Sequence, residues 1–336
     1  MTRLNILILI LIFIALSSCN NSEKPISTKF IALGDLPSDE KNYPLYERLI
    51  KNIDSIKPSL VIHTGDATHP GDCTNETIDH GYNYMNSFDA PVLFTLGDND
   101  WSDCPKSEFN SIERLNYYRK THFHSNSTLG ARPLKVFNQS KSGYPENIRL
   151  IKDNIGFVTV HVIRTINNII PLEPDLKEEF VSRNVANLAW LEHCFNEFSN
   201  MDAIVVILHA NMFESQKLPL KMLAHKIYKN KILLIDYKTY KTLFRTLFGS
   251  PDYKFKLPYR DMGETIQKLS SEFKKPVLLL HGDTHFHRNT PPLKNFPYLH
   301  VIETFGHPNI KAIEITVQPK SKNPFKVTQI INPNKI

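Results

Sequence analysis

Along the chain, short apolar runs end at acidic residues or histidines. Residues 30–33 run into Gly34-Asp35, 60–64 into Gly65-Asp66, and 92–96 into Gly97-Asp98. Residues 204–208 run into His209, and 277–280 into His281-Gly282-Asp283-Thr284-His285. Runs of this length, bounded by turn residues, predict buried strands. Open α/β sheets build their sites from residues delivered beyond the carboxyl ends of such strands. One Gly-Asp after a strand is an ordinary turn; five strand ends carrying Asp or His form a pattern, with Asp66 in its midst.

Helical spacing lies between the runs. Leu45, Leu49, Ile53 and Ile56 predict a helix over 44–56. Further helices are expected over 78–88, 108–119 and 262–273, and over 182–198, where Ser182 would be the N-cap. The first strand–helix–strand unit predicts parallel pairing of its strands. Residues 121–145 read as loop, and 147–152 with 156–163 as a hairpin turning at Asp153-Asn154. The tail, 300–305, 310–317 and 325–330, alternates with period two, which predicts antiparallel strands of a second sheet layer.

The first 18 residues read as a targeting segment. Arg3 supplies a positive start and residues 4–16 are almost wholly apolar, a run too short for a membrane span. Leu16-Ser17-Ser18-Cys19 resembles the bacterial lipobox, whose Cys becomes the lipidated first residue of the mature chain. The alternatives are an ordinary secretory signal with a chance Cys, or an uncleaved anchor. The resemblance implies a lipid anchor on Cys19 and a polar tether over 19–28. It also implies a bacterial cell-envelope location, at the outer membrane or surface because Asn20, not aspartate, follows the Cys.

Export implies an environment that permits disulfides. Cys73 and Cys104 each follow one of the Gly-Asp loops. If those loops converge, the two sulfurs pair and close a loop of about 30 residues; otherwise they remain thiols, as Cys194 in its apolar helical setting is expected to be. The formal net charge of +6 falls to +5 once Arg3 leaves, a mild excess that does not demonstrate nucleic-acid binding. Its densest source is 214–260, with eleven Lys or Arg against Glu214, Asp236 and Asp252 and with interleaved aromatic residues. This segment reads as an insertion after the fourth of the five strands, either a solvated helical face or a lid or docking surface for an anionic substrate or lipid headgroups.

Carboxylates and imidazoles converging from strand ends suit divalent ions. Two ions sharing a bridging carboxylate, about 3.5–4 Å apart, are the arrangement for in-line attack on a phosphate. The ordered series Gly34-Asp35-Leu36-Pro37, Gly65-Asp66-Ala67-Thr68-His69, Gly97-Asp98-Asn99-Asp100, His209 and Gly282-Asp283-Thr284-His285 resembles the calcineurin-like metallophosphoesterases. Residues 96–104, with Gly97-Asp98-Asn99-Asp100-Trp101-Ser102-Asp103-Cys104, resemble an exported bacterial branch of that superfamily. The resemblance implies an α/β fold over 29–336, a four-layer α-β-β-α sandwich of two mixed sheets with the ligands on loops at one edge. It implies Asp35 and His285 on metal one, Asp66 bridging, and Asp98, His209 and Asp283 on metal two.

Three departures bear on the chemistry. Pro37 cannot supply the metal-one ligand of an Asp-x-His motif; His69, three residues after Asp66 and spaced like the tyrosine of purple acid phosphatases, would complete that site. Asp98 and Asp283 stand where the family has neutral ligands, so four carboxylates would offset two divalent charges. That set favours Mn²⁺, Fe²⁺ or Mg²⁺ over zinc and admits Ca²⁺. Asn99 stands where the family's His orients substrate and protonates the leaving group, and Asn has no proton to give at neutral pH. His287 is the first candidate for the missing acid, with His80 and His161 behind it, and Arg288 would hold a phosphate oxygen. Asp100 and Trp101 would orient Asn99 and wall the pocket. The implied function is an exported, monomeric phosphoester hydrolase in which a metal-bridging hydroxide attacks phosphorus. The alternatives are a catalytically weak surface lipoprotein that binds metal and phosphate, and a nuclease of the same superfamily.

Overall fold

A computed structural model of the chain describes residues 27–37, 39–69, 71–104, 109–164, 174–213, 257–290, 292 and 295–332. The proposed signal and Cys19, and nearly all of the basic segment 214–260, lie outside the described residues. Among the described residues, no helix is long and apolar enough to cross a membrane.

Two mixed sheets carry the fold. The first holds five strands: β1 (Thr28–Leu33), β2 (Val61–His63), β3 (Val92–Phe94), β11 (Ala312–Val317) and β12 (Phe325–Ile330), in the order β12-β11-β1-β2-β3. Strands β1 to β3 are parallel, as the strand–helix–strand pattern predicts, and β11 and β12 add antiparallel at the β1 edge. The second sheet holds β4 (Phe137–Gln139), β5 (Tyr144–Lys152), β6 (Ile155–Thr159), β7 (Ala203–Ile207), β8 (Val277–His281), β9 (Arg288–Thr290) and β10 (Leu299–Glu303). Its order is β4-β5-β6-β7-β8-β10-β9, with β6, β7, β8 and β10 parallel. The β5–β6 hairpin turns at Asp153-Asn154, both with positive φ, a backbone these residues tolerate and hairpins prefer.

Alternation along the second sheet sorts its two faces. Phe157, Val205, Ile207, Leu278, Leu280 and Ile302 join one apolar cluster with Phe30, Ile31 and Ile62 of the first sheet. Phe30 and Phe157 meet edge to face with ring centroids 5.5 Å apart, worth about 1 kcal/mol beyond their burial. The intervening residues, Val158, Ile204, Val206, Leu279 and Val301, face a second cluster with Leu191, Phe195, Ile266 and Leu269. These belong to helices that cover the outer face, α4 (Pro174–Glu197) and α5 (Arg260–Phe273). Three helices preceding them, α1 (Tyr43–Ile56), α2 (Asn75–Asn86) and α3 (Ser111–Thr121), connect the elements of the first half. The α1 face is Tyr46, Leu49, Ile50 and Ile53, with Ile56 left exposed.

Two local expectations need correction. Ser182 is interior to α4, which starts eight residues earlier at Pro174, a residue suited to a first helical turn. Buried Leu176 and the Glu179–Arg183 pair hold that polar beginning in place. In the tail, β10 does not join β11 and β12; it lies in the second sheet, parallel to β8 with Leu299 opposite Val277 and antiparallel only to the short β9. His300 and Glu303 mimic exposed positions in the sequence, yet every residue of β10 is buried, as interior parallel strands are.

Cys73 and Cys104 are bridged, and Cys194 is a buried free thiol. The bridge joins the loops after β2 and β3 across 31 residues. Constraint of the unfolded chain by a loop of that length is worth about 3.7 kcal/mol. Replacing both cysteines by serine is therefore expected to lower the unfolding free energy in urea by about that amount; an unchanged midpoint would show that the bridge contributes nothing to stability.

Candidate metal centre

The carboxyl ends of β1, β2, β3, β7 and β8 meet at one edge, and backbone bonds hold their loops in step. The Asp35 N–H donates to the Gly65 carbonyl (3.1 Å) and the Leu36 N–H to that of Asp66 (2.9 Å). The Gly282 N–H donates to the His209 carbonyl (3.1 Å). Asp100, buried, clasps two loops: its carboxylate accepts from the N–H groups of Asp66 (3.0 Å), Thr68 (3.1 Å) and Gly97 (2.6 Å). That role goes beyond the expected one of orienting Asn99.

The clasp leaves no room for side chains at the motif glycines. A Cβ on Gly97 would lie 2.0 Å from Asp66 Oδ1, and one on Gly65, at φ +102°, would lie 2.6 Å from His209 Nδ1. Asp35, Asp66, Asp283 and His285 all have positive φ, a conformation costing a non-glycine residue of order 1 kcal/mol or more. Four of the eight such non-glycine residues among the described ones fall at this strand-end cluster, where functional sites often hold strained backbone.

Two groups of ligand atoms result, Asp35 with Asp66 and His285, and Asp66 with Asp98 and His209. In each group the atoms lie within 4.8 Å of one another, and Asp66 belongs to both. His285 Nε2 is 3.1 Å from Asp35 Oδ2, and His209 Nε2 is 2.9 Å from Asp98 Oδ1 and 3.5 Å from Asp66 Oδ1. His209 Nδ1 donates to the Thr64 carbonyl (2.7 Å). That bond fixes the ring so that Nε2 is the atom offered to the carboxylates, the usual outer support of a metal-binding imidazole.

The electrostatics of this edge call for cations. Burial raises Asp35 to about 6 against the opposing charge of His285. Burial also drives Asp66 well above the ordinary carboxylate range, and the charges of Asp98 and Asp35 push in the same direction. Burial would lift Asp98 too, but the hydrogen bond and charge of His209 outweigh it and hold Asp98 low. Burial opposes the charge on His209, yet Asp66 and Asp98 raise it well above the usual imidazole value. Protons here do the work that divalent ions would do better, and the oxygen and imidazole donors suit such ions.

The other expected site residues are placed differently. Asn99 donates from its backbone N–H to Asp66 Oδ1 (3.1 Å) and from its side-chain amide to Asp66 Oδ2 (3.0 Å), so it holds the shared carboxylate. Asp283 is buried and belongs to neither group; Oδ2 accepts from the Asn211 N–H (2.9 Å) and Oδ1 is 3.2 Å from Arg164 Nε. His69 also belongs to neither group, and its Nε2 faces the Tyr43 hydroxyl at 3.4 Å. His80 is an exposed residue of α2 packed beside Tyr43 and Tyr84. His287 donates from Nδ1 to the Glu303 carbonyl (2.7 Å), and Arg288 sits on β9 with its Nη1 3.7 Å from Glu303 Oε2. His161 is not available as an acid. It is buried, donating from Nδ1 to Glu146 (2.9 Å) and accepting from the Trp101 indole at Nε2 (3.1 Å). Burial would raise Glu146, but the His161 bond and the Arg119 charge hold it at about 2.

Two contributors are absent from the sequence reading: Arg164, and the turn Gly306-His307 after β10. The His307 N–H donates to Asp35 Oδ2 (2.9 Å), and a Cβ on Gly306 would lie 2.8 Å from Asp35 Oδ1 and 2.9 Å from His285 Cδ2. A signal existed: residues 299–305 are one more largely apolar run ending in Gly-His.

The sequence profile described as calcineurin-like phosphoesterase matches residues 28–238, more than half of the chain. The match spans β1 to β7 and His209 and stops before His285. No curated protein matches the chain. Among solved structures, it is similar to GAP50, the anchor in the inner membrane complex of Plasmodium, at 10% identity and TM-score 0.46, covering 92% of this chain and 90% of that one. A dimetal phosphatase from Danio rerio is similar at 11% identity and TM-score 0.45, covering 92% and 99%. A phosphatase from Mycoplasma pneumoniae is similar at 11% identity and TM-score 0.41, covering 92% and 95%.

Two outcomes follow from the packing and charge. Gly97→Ala displaces the shared Asp66 and is expected to weaken binding of every Mn²⁺ ion the protein takes up, by about tenfold or more. Gly306→Ala disturbs only the Asp35–His285 group, so one class of Mn²⁺ site in calorimetry should weaken; equal effects of the two variants would contradict the assignment. The second concerns pH. Above about pH 7.5 the histidines with depressed values are essentially neutral in both folded and unfolded chains. The groups still titrating are those raised by folding: Asp66 and His209, with the last of Glu303, which is pushed to about 7 chiefly by burial. Each binds a proton in the folded state that the unfolded chain has released, so stability falls as pH rises. The metal-free protein should melt at a lower temperature at pH 8.5 than at pH 7.5, and Mn²⁺ should raise the melting point more at pH 8.5. A melting point that is flat or rises over this window would contradict the charge account.

Proposed function

Because the chain belongs to the calcineurin-like phosphoesterase family, we propose that it is an exported, lipid-anchored phosphoester hydrolase whose site takes two divalent ions. The observation that carries the two-ion reading is the membership of Asp66 in both groups of ligand atoms. Asp35, Asp66 and His285 would hold one ion, and Asp66, Asp98 and His209 the other. The carboxylate-rich donor set favours Mn²⁺, Fe²⁺ or Mg²⁺ over zinc. When bound, such a pair supplies Lewis acidity toward the phosphoryl oxygens and a hydroxide nucleophile at neutral pH. Export and anchoring on Cys19 rest on the lipobox-like start, and the bridged Cys73–Cys104 suits that compartment.

The chain's own residues then have defined tasks. His209 is held by Thr64 in the orientation that offers Nε2. Asn99 and the Asp100 clasp keep the Asp66 carboxylate from turning. His307, whose N–H holds Asp35, places an imidazole beside the Asp35–His285 pair. Asn99 has no proton to give, so the reading favours esters whose leaving group departs without strong acid assistance, aryl esters before alkyl esters.

The same Asn99 supports the second reading, a lipoprotein that binds metal and phosphate with little turnover. Hydrolysis of p-nitrophenyl phosphate and of its bis-ester by the Mn²⁺-loaded chain separates the two. Turnover that falls at least about a hundredfold in Asp66→Asn supports the hydrolase. Absence of turnover on both esters, with metal shown to be bound, would leave the binding protein.

A further inference from the structure

Asp283 and Arg164 explain one another. A carboxylate at Asp283, where the resembled family has histidine, adds negative charge to an edge already holding Asp35, Asp66 and Asp98. It is buried and in strained backbone, with φ 79°. Its Oδ2 is taken by the Asn211 N–H. Its Oδ1 has Arg164 Nε at 3.2 Å and no hydrogen bond of good geometry. Arg164 follows β6, its side chain 58% exposed, and among the described residues its ion-pair partner is Asp283. Its charge also reaches the metal-side carboxylates: it is one of the influences that hold Asp98 low, and Asp98, Asp66 and Asp103 in turn stabilise its protonated form after Asp283.

We infer that Asp283 is the anchor of Arg164 and that Arg164 binds the non-bridging oxygens of a phosphoryl group at the rim of the Asp66–Asp98–His209 group. The inference rests on the phosphoester reading for its ligand and deepens it. Two physical points support it. A guanidinium is a rigid fork, so an anchor at Nε leaves the Nη edge to face a second anion with little further loss of freedom. A phosphoester dianion approaching this edge meets Asp103 and Asp283 as well as the inner carboxylates, and Asn99 brings no positive charge to offset them. Arg164 is the cation placed to do so, whereas Arg288, the expected phosphate ligand, lies beside Glu303.

The test uses the full chain loaded with Mn²⁺ and three variants, Arg164→Gln, Arg164→Lys and Asp283→Asn, with the double variant Arg164→Gln/Asp283→Asn. Binding of inorganic phosphate is measured by calorimetry and bound Mn²⁺ by elemental analysis. Arg164→Gln should weaken phosphate binding by about tenfold or more with Mn²⁺ content unchanged, and Arg164→Lys should recover only part of it. Asp283→Asn should weaken phosphate binding less, keep its Mn²⁺, and add nothing to Arg164→Gln. In p-nitrophenyl phosphate hydrolysis, the Arg164→Gln loss should appear mainly in KM. Phosphate affinity unchanged in Arg164→Gln, or no phosphate binding by the parent chain, would overturn the inference. So would loss of a Mn²⁺ ion in Asp283→Asn, which would make Asp283 a metal ligand. A parent chain that binds phosphate through Arg164 yet hydrolyses no ester would remove the hydrolase reading and leave this one standing.

Discussion

The Asp66 carboxylate is the constraint on which the site depends. It is buried between Asp35 and Asp98, pinned by Asn99, and its backbone is held by Asp100. Three carboxylates this close cannot all carry charge in a buried setting without compensation. Burial pushes Asp66 up, and Asp66 and Asp98 favour the charged form of His209, which is the direction that such compensation takes. The fold is arranged so that this costly edge exists: parallel strands of two sheets end together, and the glycines between them are needed because any side chain there would strike Asp66 or His209.

Around that point the supporting structure is dense and of long sequence reach. Thr64 receives the His209 ring and exchanges a hydroxyl bond with Thr304 (2.9 Å), tying β2 to the end of β10. Trp101 reaches through His161 and Glu146 to Arg119, linking the loop after β3 to the second sheet and to α3. The disulfide closes the same two loops that Asp100 clasps. Such redundancy keeps strained residues in place, since no single one of these contacts is worth more than a few kcal/mol.

Much of this was legible in the sequence because strand ends are local features. An apolar run followed by Gly-Asp marks both the strand and the residue it delivers, which is why Asp35, Asp66, Asp98, His209 and His285 could be named from spacing and resemblance. What could not be read depends on partners distant in sequence. Asp100 looked like an accessory to its neighbour, but its carboxylate serves backbone groups 34 residues away. Arg164 carries no motif and gains meaning only when β6 brings it to Asp283. His69 rests on a resemblance in spacing and His287 on its nearness to His285, and the structure gives their nitrogens to Tyr43 and to the Glu303 carbonyl. The tail misled for a physical reason: buried polar residues on β10 imitate the alternation of an exposed strand, and the register that makes it parallel is set by β8.

The central claim is that one buried carboxylate joins two cation sites. Crystals of the protein grown with Mn²⁺ and measured at a wavelength where manganese scatters anomalously test it directly. The account predicts two peaks about 3.5–4 Å apart, with an Asp66 oxygen ligating both. A single peak, or two peaks that do not share Asp66, would contradict it.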